Sequence, residues 1–102
     1  MNEKIKEVIQ NALKEYTIDK IILFGSRARG DNRGDSDYDV LVIIKEEMDW
    51  IKREDIASAI RKSLAQLDVD IDILIRTSKY IESSKDEIGN VISYAYEEGI
   101  EI

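Results

Sequence analysis

The chain has no cysteine, no histidine and no proline, and only one tryptophan and one phenylalanine. Without cysteine there is no disulfide framework, no thiol nucleophile and no thiolate zinc site. Without histidine, the commonest general base and the commonest transition-metal ligand are both missing. What remains is carboxylate and hydroxyl chemistry, which suits hard cations such as Mg²⁺ or Mn²⁺. Long apolar runs are also lacking. The longest, Val40 to Ile44, is far too short to span a bilayer, and charges interleave the apolar residues from Met1 to Ala12 where a signal peptide would be uninterrupted. No membrane association and a cytoplasmic location are expected. Nor is there an excess of positive charge: 22 acidic residues against 15 basic ones leave a formal charge of −7. That balance argues against tight, sequence-independent binding to a nucleic acid backbone. The missing prolines carry no functional reading.

What is present reads as one domain covering residues 1–102, with enough apolar residues (43%) beside the charged ones (36%) to bury a core. Ile5, Val8, Ile9, Ala12, Leu13 and Tyr16 recur at the spacing of an amphipathic helix. Lys20 to Phe24 is a β-branched and aromatic run that predicts a buried strand ending at Gly25-Ser26. Arg27 to Ser36 is a polar loop with room for one helical turn after Ser26, and Asp37 to Ile44 predicts a second strand. Asp49 is the candidate N-cap of a helix with an apolar stripe through Ile56, Ile60, Leu64 and Leu67. Trp50, at its start, is expected to pack against the core. Val69 to Ile75 alternates as a third strand, with Val69, Ile71, Ile73 and Ile75 on one face and Asp70, Asp72 and Leu74 on the other. Ser78 is a candidate cap for a final helical region, in which Ile88, Val91, Ile92 and Ala95 share a face and Gly99 is the terminator. Tyr94 and Tyr96 in that region read equally as packing residues or partner contacts. Glu101-Ile102 forms a short extended tail. The order helix, strand, strand, helix, strand, helix predicts an α/β (α+β) arrangement, a small mixed sheet backed by helices.

Asp37-Tyr38-Asp39 is the first feature with chemical content. Residues two apart in a strand share a face, so these carboxylates can converge while Tyr38 points the other way, toward core or interface. Two anions side by side repel, and a bound divalent cation relieves that repulsion. Asp70 and Asp72 repeat the arrangement, and a sheet placing the second strand beside the third brings another acid to the same point. The second feature is Gly25-Ser26. A glycine after a buried strand lets backbone approach a ligand closely, Ser26 adds a hydroxyl suited to phosphate oxygens, and Arg27 and Arg29 add positive charge. Each feature alone is common in ordinary turns and on charged strand edges. Together they supply what phosphoryl or nucleotidyl transfer requires: a phosphate cradle beside a carboxylate–metal site.

Gly25-Ser26, ten intervening residues (Arg27 to Ser36), then Asp37-Tyr38-Asp39 resembles the signature of the DNA polymerase β-like nucleotidyltransferases. The fuller runs, Gly25-Ser26-Arg27-Ala28-Arg29-Gly30 and Ser36-Asp37-Tyr38-Asp39-Val40-Leu41, are similar to its minimal nucleotidyltransferase branch. The resemblance extends over nearly the whole chain, through Val69-Asp70-Ile71-Asp72-Ile73. It implies the nucleotidyltransferase fold, with Gly25 and Ser26 holding the triphosphate of ATP and Arg27 and Arg29 close by. It also implies Asp37, Asp39 and Asp72 as catalytic ligands of Mg²⁺, with Asp72 able to help activate the acceptor hydroxyl and Asp70 the alternative third acid. Relatives of this branch pair with a HEPN-domain protein as a toxin–antitoxin system, so the resemblance implies an antitoxin that moves AMP from ATP to a tyrosine of a HEPN ribonuclease. A non-catalytic binding antitoxin of the same fold, or transfer to a small molecule or an RNA end, are the alternatives.

A sheet this small does not readily enclose a nucleotide, so a second subunit in a homo-oligomer, or a partner protein, is expected to complete the pocket. Leu41, Ile43 and Leu74 lie on the same strand faces as the acids and are open to two readings: a docking surface, or a face covered by a local helix.

Overall fold

A computed structural model of the chain describes residues 1–34, 36–84, 86, 87 and 89–102. The opening amphipathic repeat forms α1 (Asn2–Ala12), which buries Ile5 and Ile9 fully and ends with buried Leu13 at its C-cap. β1 (Ile18–Phe24) runs from a half-buried start into four consecutive buried residues, Ile21 to Phe24. Both its faces are therefore covered, which is why its sequence is continuously apolar rather than alternating. After Gly25 the chain makes a single helical turn, α2 (Ser26–Arg29), closed by Gly30 in the left-handed conformation.

β2 (Tyr38–Ile44) returns antiparallel to β1, with Phe24 opposite Asp39 and Leu23 opposite Val40. α3 (Trp50–Ala65) then crosses to β3 (Ile71–Thr77), which pairs parallel to β2. This is a βαβ unit, whose parallel strands need such a crossover. The side chain of Asp49 accepts from the Lys52 N–H at 2.8 Å, the expected N-cap. Ala57, Ile60 and Leu64 are the buried residues of α3.

The end of the chain forms α4 (Ser78–Ser84), α5 (Val91–Glu98) and β4 (Ile100–Glu101). β4 pairs antiparallel with β1, giving a four-stranded sheet in the order β3-β2-β1-β4. The short tail expected at Glu101-Ile102 is thus an edge strand. Ile102 continues the pairing by donating its N–H to the Ile21 carbonyl at 2.9 Å.

Each face of the mixed sheet carries its own helical layer. On one face, α1 and α3 enclose Ile21, Leu23, Val40, Val42, Ile44, Ile71, Ile73 and Ile75. On the other, Ile81 of α4 and Ile92 and Ala95 of α5 cover Ile22, Phe24, Leu41 and Ile43. Leu74 packs against this second cluster too. Local helices therefore cover the strand face that carries Leu41, Ile43 and Leu74, and the docking reading of those three residues falls away.

Four expectations need correction. Trp50 is exposed (66%), because it opens α3 on the side away from the sheet. Leu67 lies beyond the end of α3 and is exposed (43%), so the buried stripe stops at Leu64. The final helical region is two helices, the first beginning at Ser78. Ser78 is not its cap: the Thr77 hydroxyl accepts from the Tyr80 N–H at 3.1 Å, while Ser78 donates to the Ile44 carbonyl. Ile88, expected on the final helix face, lies outside the described residues. Gly99 does end α5, but with an ordinary negative φ of −79°. Glycine is needed there for space, since a Cβ would run into the Ile22 side chain and the Ala95 carbonyl. Among the described residues, no helix is long and apolar enough to cross a membrane.

Candidate active site

The acids stand where three strand ends meet: the last residues of β1 and the first residues of β2 and β3. Asp39 lies opposite Asp72 in the parallel register of β2 and β3. Both follow the side-chain parity of Leu41 and Leu74, so they share the sheet face that α4 and α5 cover further along. Asp37 precedes β2 with the same parity as Asp39 and is exposed. Asp72 is exposed and Asp39 half-buried. Burial, and then the neighbouring Asp72 and Asp37 carboxylates, hold the Asp39 carboxyl above its ordinary range, while Arg29 pulls it back down.

Asp70 sits differently. Its carbonyl accepts the Tyr38 N–H at 2.9 Å, and with Asp37 it borders an open depression near Arg61 and Lys62 of α3. It lies one residue ahead of β3, outside the register in which Asp72 aligns with Asp39. The two acids of the Asp70–Asp72 pair, equivalent in the sequence, are separated by the pairing of β3.

Gly25 closes the site from the β1 side. Its φ of +74° is one that residues with side chains rarely adopt, and a Cβ there would collide with the Asp39 carboxylate. Backbone and carboxylate are in direct apposition, the close approach that glycine alone permits. Ser26 follows as the first residue of α2 and is half-buried.

The two arginines divide. The Arg27 guanidinium donates to the carbonyls of Gly34 and Ser36 at 2.8 to 3.1 Å and lies over the Tyr38 ring, 4.3 Å from its centroid. In this arrangement it staples the loop that delivers Asp37. Tyr38 points away from the acids, as strand alternation requires, and packs at the margin of the larger core. Arg29 is exposed, donating to Asp31 at 3.1 Å and to the Tyr94 hydroxyl at 2.6 Å. Tyr94, open to two readings in the sequence, thus lies beside the site. Its partner is 65 positions away, so no local pattern could have announced it.

Among the described residues, no three acidic side chains already converge as a metal cage. The donor set nevertheless fits a hard cation. Asp39 carries repulsion from two neighbouring carboxylates, and Asp37 and Asp72 are exposed enough to turn toward it without disturbing the core.

Residues 3–95 match the family of polymerase beta nucleotidyltransferases. The chain belongs to that family. This nucleotidyltransferase is 37% identical over 92 residues to a Methanocaldococcus jannaschii protein provisionally named protein adenylyltransferase MJ0141, an alignment covering 86% of this chain and 88% of the relative. Its fold is similar to that of a toxin–antitoxin crystal structure with AMP-PNP (TM-score 0.64, 23% identity, 97% of this chain and 69% of the other). The nucleotidyltransferase is also similar in fold to a chain in the structure of a tri-AMPylated Shewanella oneidensis HEPN toxin in complex with MNT antitoxin (TM-score 0.58, 19% identity, 97% of this chain and 66% of the other).

Proposed function

We propose that this nucleotidyltransferase moves AMP from ATP to a tyrosine of a partner HEPN-domain protein, and so acts in the cytoplasm as an antitoxin. The observation that carries the transfer reading is the apposition of the Gly25 backbone to Asp39, with Asp72 in register beside it. Phosphates and carboxylates must approach within one small volume for nucleotidyl transfer, and this corner is built for that approach. The provisional name of the jannaschii relative and the AMPylated HEPN toxin held with an MNT antitoxin support AMP transfer to protein and the HEPN partner, while the tyrosine acceptor rests on the family resemblance alone.

In this reading residues 1–102 act as one transferase domain. Gly25 and Ser26 seat the triphosphate, and Arg29 faces it with positive charge. Arg27 fixes the loop ahead of Asp37 and keeps its charge near the phosphates. Asp37, Asp39 and Asp72 would hold Mg²⁺, with Asp72 preferred to Asp70 because Asp72 lies opposite Asp39 in the register of β2 and β3. Bound there, the cation would supply neutralisation of phosphate charge. The acceptor phenol attacks the α-phosphorus, pyrophosphate leaves, and a carboxylate of the site takes the phenolic proton, since the chain has no histidine for that task. Exposure of Asp37 and Asp72 leaves the pocket open on one side, where the partner presents its tyrosine.

The test is to incubate the chain with α-labelled ATP, Mg²⁺ and a HEPN-domain protein from the same genome. Label on a tyrosine of that protein, absent with Asp39→Asn, is the expected result. Neutralisation of the partner without label would replace transfer by occlusion.

A further inference from the structure

Tyr94 reaches from α5 to both sides of the Gly25 corner. Its ring meets Phe24, the residue before Gly25, edge-on with centroids 6.4 Å apart. Its hydroxyl accepts from Arg29, one helical turn after Gly25, at 2.6 Å. Arg29 is also bound by Asp31 at 3.1 Å, so its guanidinium is held by its own loop on one side and by α5 on the other. The Arg29 side chain is 47% exposed. Left untied, so long a side chain would spread over many rotamers, and fixing it on binding a ligand would cost that lost freedom.

Resting on the transferase reading, we infer that Tyr94 is a positioning residue, whose hydroxyl holds Arg29 ready to meet the phosphates of the nucleotide. Arg29 closes the single turn that Gly25 opens, so its guanidinium is held within one helical turn of the corner where phosphates must sit. A preset guanidinium donates to phosphate oxygens without a further search for geometry. The hydroxyl itself stabilises the fold little, because Tyr94 is 41% exposed and its contact with Phe24 is made by the ring. The helix thus serves the site through one phenol, although it contributes no acid and no phosphate-binding backbone.

Tyr94→Phe keeps the ring and removes the hydroxyl, which makes it the decisive variant. AMP-PNP binding is measured by calorimetry for the wild-type chain, Tyr94→Phe, Arg29→Met and the double variant, with thermal unfolding of each. Tyr94→Phe is expected to weaken AMP-PNP binding about fivefold with an unchanged unfolding temperature. In the Arg29→Met background the same substitution is expected to change affinity less than about twofold, because the group it positions is gone. In transfer assays the KM for ATP rises while kcat at saturating ATP stays level. Tyr94→Phe binding AMP-PNP as tightly as wild type overturns the inference, as does an equal loss with or without Arg29. A wild-type chain that binds no AMP-PNP in the presence of Mg²⁺, either alone or with its HEPN-domain partner, overturns the transferase reading itself, and this role with it.

Discussion

The two faces of the sheet bury comparable strand residues but stand in different relation to the chemistry. The face under α1 and α3 is an apolar layer from end to end, running from Ile71 and Val40 to Ile44 and Ile75. The face under α4 and α5 is apolar only for part of its length, through Ile22, Phe24, Leu41 and Ile43, and continues into Asp39 and Asp72. The same alternation that gives Val40 and Ile73 to one core gives Asp39 and Asp72 to the other side. One face holds the fold together, and the other trades part of its cover for an acidic pole. The burial of Asp39, and then its repulsion by Asp72 and Asp37, is the cost of that trade, borne where a ligand can relieve it.

Substitutions on the two faces should separate activity from stability. Asp39→Asn carries the largest effect: transfer of label falls about a thousandfold, about 4 kcal/mol of barrier. The same variant should be more stable than wild type, by less than about 1 kcal/mol because solvent screens a carboxyl this exposed. A large loss of stability in this variant would erase the distinction between the faces. Asp72→Asn should follow it in activity, while Asp70→Asn leaves transfer within about threefold, and the reverse order would exchange the third acid. On the opposite face, Ile60→Ala should cost about 3 kcal/mol in denaturant unfolding, with AMP-PNP affinity of the folded fraction unchanged. Between the two, Gly25→Ala should cost about 2 kcal/mol and also nucleotide affinity, because the added methyl forces both the positive φ and the Asp39 carboxylate to give way.

The smallest effects are in pH dependence, and here the acids of the two poles have opposite signs. Asp39 is held above its ordinary 3.8, so the folded chain binds that proton more tightly than the unfolded one. Its contribution to stability is greatest below 3.8 and declines as pH rises through the raised folded value. Glu46, past the other end of β2, is lowered from 4.5 by the Thr17 hydroxyl and backbone N–H, at 2.6 and 2.7 Å. Its stabilisation is complete above 4.5 and is lost as pH falls through the lowered folded value. Thermal unfolding across the acid range should show Asp39→Asn removing the decline and Glu46→Gln removing the gain; identical profiles in the two variants would contradict these signs.

Much of this was legible in the sequence where the signal was periodic. The repeat through Ile5, Ile9 and Leu13, and the alternation from Val69 to Ile75, reported which side chains meet the core. The spacing of Gly25-Ser26 and Asp37-Tyr38-Asp39 brought out the family. What was illegible depended on pairing across the chain. Strand alternation treats Asp70 and Asp72 alike, and the preference for Asp72 came only from the family resemblance; which of them aligns with Asp39 is set by the register of β3 on β2. β4 has two residues, too few for any period to show. Trp50 misled because a large aromatic side chain suggests burial, whereas its position on the outer side of the first turn of α3 decided the matter. Arg27 read as positive charge close to the triphosphate, and only the folded loop shows how many of its donors go to Gly34 and Ser36.

The parallel alignment of Asp39 with Asp72 sorts insertions and deletions by place. The crossover through α3 leaves and re-enters the sheet through largely exposed connections at 45–49 and 66–68, where extra residues have solvent to occupy. One residue gained or lost inside β3 would instead turn Ile71 or Ile73 outward and Asp72 into the apolar layer. Natural length variation among such chains should therefore collect in those connections and avoid the seven residues of β3.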